Sequence, residues 1–173
     1  MTSAKTVVLL VMHGIPPRDF PPQELGEFFM LRTRLERATG TDRDHMLERY
    51  SALERKMRGW PRTPQNDPFF AASQEMAAGL SKATGYDVAI AYNEFCAPDV
   101  EEALARVAAR GADQVVALTP MLTQGGEHAE VEIPALLTKF QAAHPAVRVV
   151  YAWPFDAAHV AKFLAEQVKR FVK

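Results

Sequence analysis

The sequence predicts an α/β domain: a four-stranded parallel sheet flanked by helices, with a helical insertion between strands one and two. Three observations carry this. Four short apolar runs rich in β-branched residues, Thr6–Met12, Asp87–Tyr92, Val115–Leu118 and Val147–Trp153, have strand length and no helical period. Helical stretches separate them, and strands alternating with helices imply parallel pairing through right-handed crossovers. About seventy residues lie between the first two runs, where a crossover needs only about a dozen. That surplus, about residues 21–85, starts at the C-terminal strand edge and reads as a lid or binding wall, or else as a structural or dimerising insertion. The 173 residues fit one domain.

Taken in order, TVVLLVM at 6–12 is continuously apolar, the pattern of a strand covered on both faces, and it ends at His13-Gly14. From Gln23 to Ala38, Leu25, Phe28, Phe29, Leu31 and Leu35 give helical spacing, closed by Gly40. Thr41 or Asp42 is the expected cap of the next helix, where Met46, Tyr50, Leu53, Met57 and Trp60 form a narrow apolar seam for a neighbouring helix or a partner subunit. A proline-rich loop at 61–68 leads to a third helix, Phe69 to Lys82, ended by Gly85. After the second strand, Pro98 opens a helix carrying Val100, Leu104 and Val107, with Gly111 at its C′ position. Thr119-Pro120 stops the third strand, and Gly125-Gly126 turns the chain. Glu127 to Glu132 are then expected in a loop, and Pro134 in the first turn of a helix to about Ala142. Asp156 caps the last helix, whose apolar face is Val160, Phe163, Leu164, Val168 and Phe171.

Bulk properties exclude several classes. A formal charge of -1 gives no global reason to bind nucleic acid or an anionic membrane. The lone cysteine, Cys96, rules out an intramolecular disulfide and fits a reducing compartment. Val7–Met12 is too short to span a bilayer, so a cytoplasmic protein is expected. Neither GxGxxG after a strand nor GxxxxGK(S/T) is present, so no nucleotide cofactor is expected, and GxSxG and CxxC are missing too.

Three strand ends are each followed by a side chain suited to metals or protons: His13, Glu94 and His128. In a parallel sheet these ends converge on one side. Two imidazoles and a carboxylate suit Fe²⁺, Co²⁺, Ni²⁺ or Zn²⁺, and three protein ligands leave positions open for a substrate. The same groups can take protons near neutral pH. His45, His144 and His159 read as surface or local structural residues; Cys96 is either a soft ligand or an ordinary buried thiol. A metal carrier, a redox iron site and a hydrolytic zinc site remain rival readings of the same cluster.

Three stretches, VVLLVMHG at 7–14, YNEFCAPDVEEALARVAARGADQVVALTPMLTQGGEHAEVEIP at 92–134 and VRVVYAWPF at 147–155, resemble the class II tetrapyrrole chelatases. These are the CbiX-type sirohydrochlorin cobalt and iron chelatases of cobalamin and porphyrin biosynthesis, with ferrochelatases as larger relatives. The segment G-x-H-x-x-x-(D/E)-I-P matches at Gly126 to Pro134, with Glu132 at its acidic position. Residues 21–85 depart from the short CbiX pattern and look more like part of a ferrochelatase half. The resemblance implies a flavodoxin-like half-unit that pairs as a homodimer, the apolar seam Met46–Trp60 being one candidate contact. It also implies insertion of a divalent metal substrate, Co²⁺, Fe²⁺ or Ni²⁺, into a sirohydrochlorin-like ring, with His13, Glu94 and His128 binding metal and accepting pyrrole protons. The carboxylate-rich ring calls for basic contacts, for which Arg18 is the first candidate and Arg32, Arg34, Arg58 and Arg62 are further ones.

Overall fold

A computed structural model describes residues 4–172. The elements run β1 (Thr6–Met12), α1 (Pro22–Leu35), α2 (Gly40–Arg58), α3 (Pro68–Thr84), β2 (Asp87–Tyr92), α4 (Val100–Ala109), β3 (Gln114–Leu118), a π-helical turn (His128–Glu132), α5 (Ile133–Ala143), β4 (Arg148–Tyr151) and α6 (Ala157–Lys169). The sheet has the order β2-β1-β3-β4 with every pair parallel. Met12 lies opposite Tyr92, Leu10 opposite Leu118, and Ala117 opposite Tyr151. This is the α/β arrangement expected from the sequence.

The unbroken apolar run of β1 follows from its central place. Val7, Leu9 and Val11 enter a core with Leu104 of α4 and Ile133 and Leu137 of α5. On the opposite face Leu10 and Met12 meet Ala77 of α3, Tyr92 and Cys96. Full burial of such side chains contributes about 1.5–3 kcal/mol each, so β1 anchors both layers. Asp67, Asp99 and Asp156 cap α3, α4 and α6 by accepting from the backbone N–H of Phe70, Glu102 and His159.

Four expectations need correction. Helix α2 begins at Gly40 with Thr39 as its N-cap residue, so Thr41 and Asp42 lie inside its first turn, where Asp42 favours the positive end of the helix dipole. Strand β4 covers Arg148–Tyr151 rather than 147–153, because it pairs only with β3, which ends at Leu118. Residues 128–132 form a π turn leading directly into α5. Ile133 N–H donates five residues back to His128 O, and Pro134, which has no N–H, adds no bond of its own at this junction.

The seam Met46–Trp60 is also covered. Leu53 and Met57 are 1% and 0% exposed. They join Phe20, Phe28, Leu31 and Phe95 in a separate core flanked by Leu25, Met46, Tyr50 and Trp60, with Phe28 stacked on Tyr50 at 4.8 Å between ring centroids. The seam thus faces α1 and is not available as a dimer contact. Helix α3, by contrast, packs on the sheet through Ala77, Phe69 and Phe70. It is the ordinary crossover helix, and the surplus narrows to α1, α2 and their loops. No residue of α6 is buried: Phe163, Leu164, Val168 and Phe171 lie in the open.

Candidate metal centre

Past the last paired residues of β1 and β2 the backbone ladder continues. Asn93 N–H donates to Met12 O and Glu94 N–H to His13 O, each at 2.8 Å. His13 and Glu94 therefore hang from hydrogen-bonded neighbouring peptides. Gly14 permits this approach: its φ is +91°, and a Cβ there would stand 2.0 Å from the Glu94 carbonyl oxygen. Phe95 adopts φ 59°, a left-handed conformation that costs a bulky residue about 1–3 kcal/mol. Its ring is buried in the α1–α2 core, which offsets that cost.

Two arginines fasten this corner from the helical segment. Arg58 donates to Cys96 O at 2.9 Å and to Asn93 O at 3.1 Å. Arg62 donates to Ile15 O at 2.8 Å and Met57 O at 2.9 Å, reaches Phe95 O, and pairs with the buried Asp67 carboxylate. Both guanidiniums are thus committed to main-chain carbonyls and are not available to a ring carboxylate. Arg34 lines a surface cavity at the α1–α2 connection. Arg18 is exposed five residues beyond His13, its backbone N–H tied to Asn66 O at 2.8 Å. Arg32 takes a third course, donating to Glu94 Oε1 at 2.7 Å. The bond to Glu94, first among the causes, raises the Arg32 pKa against the opposing effect of burial.

His128 opens the π turn on the β3 side. Its Nδ1 lies 2.6 Å from Glu132 Oε2, and Asn93 Nδ2 donates to the same oxygen at 2.7 Å. Burial pushes Glu132 up, but hydrogen bonds from Asn93 and His128 and the charges of His128 and Arg32 outweigh it, so its carboxyl falls below its usual range. The His128 Nδ1 thus lies between an acceptor, Glu132 Oε2, and a donor, Asn93 Nδ2 at 2.7 Å. The tautomer protonated at Nδ1 bonds the ionised Glu132 and leaves the Nε2 lone pair free. His13 is set the same way: Nδ1–H donates to Gly14 O at 2.7 Å, leaving Nε2 facing Glu94 Oε2 at 3.6 Å. Tyr151 supports the turn from below, its hydroxyl donating to Ala129 O at 3.0 Å.

The structure brings His13, Glu94 and His128 together: one ligand-capable atom from each lies within 4.8 Å of the others. The two imidazole rings meet edge to face at 5.1 Å between centroids. The His13 side chain is 42% exposed, so the cluster opens to solvent on one side. Such a site can hold a divalent ion through two imidazoles and a carboxylate while leaving positions for a second ligand set. Sequence reasoning did not single out Asn93, which braces Glu132 beside His128. Its only signal was its place at the end of β2, next to Glu94.

A 2-1-3-4 parallel sheet with its polar cluster at the C-terminal strand ends defines an open α/β protein with its site at the usual crevice. Residues 64–171 match the CbiX family, and the chain belongs to that family. The match takes in Glu94 and His128, while His13 lies before it. Among solved structures, a CbiX protein from Marinobacter aquaeolei VT8 aligns over 95% of this chain and 98% of its own, at 15% identity and a TM-score of 0.52. The sirohydrochlorin chelatase SirB from Bacillus subtilis subspecies spizizenii, in complex with cobalt, aligns over 87% of this chain and 43% of its own, at 16% identity and a TM-score of 0.45. SirB from Bacillus subtilis with Fe³⁺ gives 16% identity, 87% and 40% coverage and a TM-score of 0.47. The chain therefore spans about two fifths of the length of SirB. At 15% identity the likeness to the Marinobacter protein is one of fold. No curated protein matches the sequence.

Proposed function

We propose that this protein inserts a divalent metal ion, Co²⁺ or Fe²⁺, into a sirohydrochlorin-like tetrapyrrole. The observation that carries this reading is the cluster of His13, Glu94 and His128 within 4.8 Å, in a chain of the CbiX family. Insertion forms four metal–nitrogen bonds in the ring, displaces the ion's former ligands and releases two pyrrole protons. His13 and His128, each with its Nε2 lone pair free, bind the ion. Glu94 completes the site or takes a proton, and the imidazole nitrogens, once relieved of metal, are the other bases within reach of the pyrrole protons. Arg18 reaches from the exposed rim to a ring carboxylate.

We place the reaction in the cytoplasm, which suits the single free and buried Cys96. No helix among the described residues is long and apolar enough to cross a membrane. The assembly we propose is a homodimer, favoured by the exposed apolar side chains of α6, and sedimentation at micromolar concentration checks it.

The test of activity is spectroscopic. Protein, sirohydrochlorin and Co²⁺, Fe²⁺ or Ni²⁺ are mixed anaerobically and the visible spectrum is followed. Acceleration over the spontaneous rate is expected, reduced about 100-fold or more in His128→Ala. A carrier would bind the ring or the ion without turnover, and absence of acceleration with all three ions would exclude a chelatase.

A further inference from the structure

Resting on the chelatase reading above, we propose that Arg32 is a positioning residue that keeps Glu94 a one-oxygen, weakened ligand, so that the ion is held loosely enough to pass to the macrocycle. Glu94 has two carboxylate oxygens with separate tasks. Oε1 accepts from Arg32 Nη2 at 2.7 Å, whereas Oε2 faces His13 Nε2 at 3.6 Å. The guanidinium takes one lone pair of Oε1 and restrains the plane of the carboxylate, which disfavours chelation of an ion by both oxygens. Arg32 thereby turns the other oxygen toward the histidines.

Charge acts in the same direction. A guanidinium keeps its proton at any physiological pH, so a fixed positive charge stands beside the seat of an incoming dication. It repels the ion and draws electron density from the ligand oxygen. A site meant to retain a metal gains nothing from this, whereas a site that must surrender its ion within each turnover does. The fold has no evident need of Arg32. Its side chain is 44% exposed, and α1 is anchored instead by the buried Phe28 and Leu31. Nor is Arg32 spent on main-chain carbonyls as Arg58 and Arg62 are. Of the arginines from the helical segment, it is the one bonded to a side chain of the cluster.

The experiment is calorimetric titration of the full chain with Co²⁺ alone, for wild type, R32Q, R32K and His128→Ala, with chelation kinetics on the same preparations. R32Q is expected to bind Co²⁺ about threefold to tenfold more tightly than wild type, since a partly exposed charge acts through screened Coulomb interaction. Its kcat is expected to fall in parallel. R32K, which keeps the charge, should restore wild-type affinity even if R32Q proves unstable. Unchanged or weaker Co²⁺ binding in R32Q would overturn the role. So would a raised KM for the tetrapyrrole with unaltered Co²⁺ affinity, which would make Arg32 a ring contact. Wild-type protein that takes up no Co²⁺, or takes it up regardless of His128→Ala, would sink the chelatase reading itself. Normal uptake without tightening in R32Q would sink only the assignment to Arg32.

Discussion

The two sides of the metal centre are built differently. On the β1–β2 side, His13 and Glu94 are carried by a continuation of the sheet's own hydrogen bonding, closed by Gly14 and fastened by Arg58 and Arg62. On the β3 side, His128 sits ten residues beyond its strand, at the start of a π turn, and is oriented by the side chains of Asn93 and Glu132. One side is fixed by the main chain and the other is set by side chains. Changes on the first should therefore damage fold and site together, while changes on the second should damage the site alone.

Gly14→Ala tests the first statement most severely. A methyl group 2.0 Å from a backbone oxygen, at φ +91°, forces the two loops apart. We expect a loss of more than about 4 kcal/mol in chemical denaturation, together with abolished Co²⁺ binding. Arg62→Ala leaves the Asp67 carboxylate, 1% exposed, without its partner. It should cost roughly 3 kcal/mol by the same measurement, at the low end for a broken buried pair. Glu132→Ala probes the other side: metal affinity should fall about 10–100-fold by calorimetry while the melting temperature stays close to wild type. Equal damage to stability from Glu132→Ala and Arg62→Ala would erase the distinction.

At neutral pH the smallest effect is expected from Tyr151→Phe, about 1 kcal/mol, for the lost bond to Ala129 O. High pH extends this comparison to both sides, because burial pushes Tyr92, beneath the fixed side, and Tyr151, beneath the π turn, each up to about 12. A phenol in the unfolded chain titrates near 10. The unfolded state therefore loses its protons first, and the contribution of both tyrosines is fully present below about pH 10 and is lost as pH rises toward 12. Denaturation curves should show stability declining across that window, and Tyr151→Phe should make the decline shallower.

The same contrast decides what could be read without a structure. Strands such as Val7–Met12, buried on both faces, announce themselves through unbroken β-branched runs, and the position of His13 and Glu94 follows from where those runs stop. The π turn was illegible because Pro134 satisfies equally well the start of a new helix and the interior junction that it occupies. The destinations of Arg58 and Arg62 were illegible for another reason. Their acceptors are main-chain carbonyls of residues 15, 57, 93, 95 and 96, and carbonyl groups leave no mark on the identity of the residue that carries them. The covered seam of α2 needed the position of α1, which spacing alone does not supply.

The contact beneath Gly14 has one more consequence. Since His13 and Glu94 are borne by peptides that touch, the spacing of their main-chain roots works as a fixed ruler rather than a pair of jaws. Fitting the centre to ions of different radius must fall to the opposite wall, where rotation of the His128 ring or a slight unwinding of its turn can move a nitrogen without disturbing the sheet.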